Sequence, residues 1–125
     1  MVDLTLEQPG DHHFVRSMSE QGIRIGDTTY RQALIVTASE LIADWQPQRM
    51  DQLSAVHLDV IIALEPEVVL LGTGAQQVFL QPRDMYRFYE KGIGIEVMNT
   101  EAACRTFNVL VTEGRNVAAG LLPIA

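Results

Sequence analysis

The sequence predicts an α/β domain: a small mixed sheet with helices on it and an antiparallel β hairpin at the N-terminal end. Three observations carry this expectation. Extended, β-branched patterning dominates up to Val36. The apolar run Val68-Val69-Leu70-Leu71 reads as a strand buried on both faces and ends in Gly72-Thr73-Gly74. Beyond it, helical and extended patterns alternate to the end of the chain.

Residues 1–13 contain Pro9, Gly10, Asp11 and the adjacent His12 and His13 without periodicity, so they read as a flexible arm. A single domain over 14–125 follows. Ile23 and Ile25 alternate with polar neighbours, Gly26-Asp27 marks a turn, and Tyr30 leads into Leu34-Ile35-Val36-Thr37, giving two or three antiparallel strands. Leu41–Trp45 is too short for periodicity to decide, reads best as a short strand, and is ended by Pro47. Asp51 is the expected cap of a helix with Leu53, Val56, Val60 and Leu64 on its inner stripe, stopped at Glu65-Pro66.

After the glycine-rich exit a short strand is expected at Gln77–Leu80. Pro82 suits the first position of a helix, Met85, Phe88 and Tyr89 form its apolar stripe, and Gly92 stops it. Ile93–Met98 returns as a strand. Thr100 is the expected N-cap of the last helix, Glu101 pairs with Arg105, and Ala103, Phe107 and Leu110 share a face before Gly114. Val117–Leu122 closes the sheet.

Composition narrows the function classes. The 125 residues include 47% hydrophobic ones, enough for one core. Sixteen acidic against nine basic residues give a net charge of −7, and the bases are scattered, so nucleic acid is not an expected partner. The apolar runs are too short to cross a bilayer, which predicts no membrane insertion. The acidic start lacks the features of a secretory signal, and the lone Cys104 forms no internal disulfide; both point to the cytoplasm.

Few residues suggest chemistry. Gly72-Thr73-Gly74 follows a buried strand, where open α/β sheets place ligands and where backbone N–H groups cradle anions. No G-x-G-x-x-G is present, because position 77 is Gln, and no Walker lysine, because the single lysine is Lys91; a tight strand exit explains the same glycines. Thr100 at a helix start offers a second anion site, or only a cap. Arg105 and Asn108, three apart on that helix, share a face that suits a polar pocket, although Arg105 also suits a solvated pair with Glu101. Cys104 reads as a buried structural thiol. His12 and His13 are adjacent rather than spaced for one metal, and His57 and Asp59 point about 200° apart on a helix. No catalytic set, metal or cofactor is implied.

The segments LLGTG at 70–74, EVMNTEAACRTFNVL at 96–110 and EGRNVAAGLLP at 113–123 together resemble a small α/β family. Its members include a mitochondrial respiratory complex I assembly factor and an adipogenesis-associated vertebrate protein. The resemblance implies three layers, with helices on one side of a small mixed sheet and a β hairpin plus helix on the other. It carries over no catalytic residues; Gly72, Thr73, Gly74, Thr100, Arg105 and Asn108 match its recurrent positions. It also implies a protein partner and a role in assembling membrane protein complexes.

Overall fold

The computed structural model describes residues 12–125. Most of the expected arm therefore lies outside the described residues. Its last residue is not loose: the His13 N–H donates to the Ala38 carbonyl at 2.8 Å and Nδ1 meets the Thr37 carbonyl at 2.9 Å.

Strands β1 (Val15–Ser19), β2 (Gly22–Ile25) and β3 (Thr28–Tyr30) form an antiparallel three-stranded sheet in the order β1-β2-β3. The turn after β2 uses Gly26 at φ +63°, a region glycine enters without a Cβ penalty. Strands β4 (Leu34–Val36), β5 (Leu41–Ile42), β6 (Val68–Gly72), β7 (Gly94–Met98) and β8 (Val117–Leu121) form the second sheet, in the order β5-β4-β8-β6-β7. β6 runs parallel to both β7 and β8, while β8 runs antiparallel to β4, so the sheet is mixed.

Helices α1 (Ala55–Ile62) and α2 (Pro82–Tyr89) cover one face of the five-stranded sheet, where Leu58, Ile61 and Phe88 join Trp45, Val69, Leu71 and Ile95 in one buried cluster. Helix α3 (Thr100–Thr112) and the three-stranded sheet cover the other face, where Ala103, Cys104 and Phe107 pack with Val15, Ile23, Ile25, Leu70 and Ala119. The result is the three-layer mixed α/β arrangement expected from the resemblance. The interior strands β6 and β8 are apolar on both faces because both faces are covered.

Four local expectations are corrected. α1 begins after Ser54, whose backbone N–H donates to His57 Nδ1 at 3.1 Å, and Asp51 belongs to a separate 3-10 turn at Met50–Gln52. The inner face of α1 is Leu58 and Ile61, whereas Val56 and Val60 point to solvent; with Ala, Val, Leu and Ile around most of its circumference, periodicity does not define the buried side. Gln77–Leu80 is not a strand, because Thr73 Oγ1 accepts the Val78 N–H at 3.2 Å and Gln77 reaches the Val97 carbonyl of edge strand β7 with its side chain instead of its backbone. Tyr89 is exposed, leaving Phe88 as the fully buried anchor of α2, with Met85 partly buried beside it.

Candidate functional site

Parallel pairing of β6 with β7, with Gly72 opposite Met98, brings the loop after β6 to the start of α3. The contact is close enough to require glycine: a Cβ on Gly72 would stand 2.9 Å from both Cα and Oγ1 of Thr100. Thr100 is fully buried and its hydroxyl links three segments, donating to the Leu122 carbonyl at 2.6 Å and accepting the Gly74 N–H at 2.9 Å. The Thr100 N–H returns to the Gly74 carbonyl at 2.9 Å. Thr73 donates its N–H to the Met98 carbonyl at 2.9 Å and its hydroxyl to the Gln76 carbonyl at 2.6 Å.

These bonds correct two expectations. The N-cap of α3 is Asn99, whose side chain accepts the Ala102 N–H at 2.8 Å, and Thr100 is the first helical residue. The amides of Thr73, Gly74 and Thr100 all donate within the chain, so the loop is a knot joining β6, α3 and the end of β8 and does not present a free nest for an anion. Beside it runs a cleft of about 480 Å³ bordered by Thr73, Gly74, Met50, Val78, Pro123 and Ile124. The charges at its rim, Arg49 and Asp51, pair with each other at 3.2 Å.

Arg105 and Asn108 lie elsewhere, against β1. Arg105 makes the expected exposed pair with Glu101 at 3.0 Å. Asn108 holds the backbone of Val15 from both sides: its Oδ1 accepts the Val15 N–H and its Nδ2 donates to the Val15 carbonyl, each at 2.8 Å. The six residues singled out from the sequence thus separate into a loop–helix knot (Gly72, Thr73, Gly74 and Thr100), a strand clamp (Asn108) and an exposed ion pair (Arg105). Cys104, between them on α3, is buried, and loss of hydration pushes its thiol from 9.0 up to about 12, which keeps it protonated and unreactive at neutral pH. Asp59 faces Arg87 of α2 and not His57, tying the two helices together. Among the described residues no three His, Cys, Asp or Glu side chains are grouped to hold a metal ion, and no helix is long and apolar enough to cross a membrane.

What periodicity missed is a set of exposed apolar side chains. Of the described residues, the large hydrophobic side chains left exposed are Val56 and Val60 on α1, Val78 and Phe79 in the loop before α2, Tyr86 and Tyr89 on α2, and Val109 on α3. All but Val109 belong to the layer built by α1, α2 and the segment leading into α2. Phe79 is 84% exposed and Val56 64%.

Residues 15–122 match the model of a family described as "Protein of unknown function (DUF498/DUF598)". The 13 kDa major membrane protein of Francisella tularensis subsp. holarctica is 32% identical over 99 residues, covering 77% of each chain. The NADH dehydrogenase (ubiquinone) 1 alpha subcomplex assembly factor 3 of Danio rerio is 34% identical over 112 residues, 87% of this chain and 63% of that protein, so the chain spans less than two thirds of this animal relative. A Bordetella pertussis protein solved by NMR and described as an Mth938-like domain superposes with a TM-score of 0.83 at 26% identity, covering 100% of this chain and 92% of that one.

Proposed function

The chain belongs to the DUF498/DUF598 family of proteins of unknown function, and we propose that it is a non-catalytic binding module that assists the assembly of membrane protein complexes of the respiratory kind. The observation that carries this reading is the exposure of Phe79, Tyr86, Tyr89 and Val56 on the α1–α2 layer. Aromatic side chains of this kind are the usual anchors of protein interfaces, because a rigid ring gains much buried area for little lost rotamer freedom. The animal relatives named as assembly factors support the same reading. In this reading the chain works in the bacterial cytoplasm, on those parts of a membrane complex that project from the bilayer.

The reading is tested by placing a photo-crosslinking amino acid at positions 79, 86 and 89 in cells, with position 109 and the hairpin position 24 as controls. Adducts with one subunit of a membrane complex are expected from the first three positions alone. Equal adducts at all five positions, or none, would overturn it.

A further inference from the structure

Between the three-stranded sheet and the β4–β5 connection lies a cleft of about 360 Å³, on the side of the molecule opposite α1 and α2. Its polar lining is His12, His13, Arg16, Tyr30 and Ser39, and Phe14, Ile25, Ala38 and Leu41 supply apolar walls. In a chain of net charge −7, none of the described residues lining this cleft is a carboxylate. Of the described ion pairs, none involves Arg16, Arg31 or Arg83, whereas Arg24, Arg49, Arg87, Arg105 and Arg115 each hold a carboxylate; of the three, only Arg16 lines this cleft.

The backbone places the exposed Arg16 on the border between this cleft and a second one against α3, where Glu101 and Arg105 lie. Val15 pairs with Ile25 but Ser17 pairs with Arg24, so β1 carries one extra residue, and that residue is Arg16. A β-bulge redirects a side chain away from the regular alternation of its strand. Asn108 fastens the residue just before it through both backbone groups of Val15. The histidines are fixed as well. Nδ1 of His12 meets the His13 carbonyl and Nδ1 of His13 meets the Thr37 carbonyl, each at 2.9 Å. A carbonyl only accepts, so in both bonds Nδ1 is the donor, which fixes the two rings as walls of the cleft.

We propose that this cleft binds a small organic carboxylate with an apolar body, the carboxylate on the Arg16 guanidinium and the body between Phe14, Tyr30, Ile25 and Leu41. A guanidinium fork matches a carboxylate in shape and charge, and the volume suits a compact ligand. The site is separate from the α1–α2 layer, so its failure and failure of the assembly reading are independent results.

The test is an NMR titration of the full chain with benzoate, with inorganic phosphate as charge without a ring and benzyl alcohol as ring without a charge. Benzoate is expected to give saturable shifts at the amides of Arg16, Gly26, Ala38 and Ser39 and at the rings of His12 and His13, with benzyl alcohol inert and phosphate much weaker. R16Q is expected to weaken benzoate about ten- to hundredfold with the rest of the spectrum unmoved, the range for losing a charge-assisted hydrogen bond. R115Q, which changes net charge equally at a residue paired with Glu67 away from the cleft, is expected to bind as the unaltered protein does. No saturable shift, shifts centred elsewhere, phosphate equal to benzoate, or equal losses in R16Q and R115Q would each overturn the proposal.

Discussion

Thr100 carries more of this structure than its size suggests. A hydroxyl at zero exposure joins the loop after β6 to the residue after β8, and both partners are backbone groups of buried residues. Thr100→Val keeps the shape and removes the hydroxyl, leaving the Gly74 N–H and the Leu122 carbonyl buried and unpaired. Each such group costs about 1–3 kcal/mol, so a loss of about 2–6 kcal/mol is expected in urea unfolding, with Thr100→Ser close to the original. A Val variant as stable as the parent would show that the knot contributes little. The sequence showed a small polar residue at a helix start, and capping was the local reading; the buried role depends on Gly74 and Leu122, which lie 26 and 22 residues away and meet Thr100 only through strand pairing.

At the scale of elements, patterns decided by local chemistry were legible and those decided by neighbours were not. Pro82 at the first position of α2, Gly92 after it, the run from Val68 and the Glu101–Arg105 pair all declare themselves within a few residues. The buried side of α1 is set by what covers it, and the sequence offers valines on the outer side that periodicity counts as core. The bulge at Arg16 was equally silent, since it exists because β1 is paired to β2 and clamped by α3. The clamp gives an element-scale prediction. The three-stranded sheet is held to the body of the molecule by Val15, Ile23 and Ile25 packing against α3 and by the two Asn108 bonds. Asn108→Ala is expected to speed amide hydrogen exchange through residues 15–30 while β6, β8 and α1 keep their protection. Uniform acceleration throughout would mean that the sheet does not open as a unit of its own.

For the whole molecule the decisive feature is the order of strands, which no local pattern encodes. β8 is the last strand in sequence, yet it lies between β4 and β6 and joins an antiparallel half to a parallel one. Its five residues are all buried, and Gly120 lies under Trp45 and Ile61, with a hypothetical Cβ only 2.9 Å from each. Without β8, the facing edges of β4 and β6 lose their hydrogen-bond partners, and both apolar clusters lose members, Val117, Ala119 and Leu121 from one and Ala118 from the other. Such a sheet cannot close until the final segment arrives, so the intermediate exposes strand edges that invite association. A chain ending at Gly114 is therefore expected to show no cooperative urea transition and no near-UV circular dichroism, and to aggregate on concentration. Supplying residues 115–125 as a separate peptide is expected to restore part of the near-UV signal in a concentration-dependent way, because strand pairing then becomes bimolecular. A truncated chain that unfolded cooperatively on its own would mean that β4 and β6 can pair directly, and that the observed strand order is one solution among several for this core.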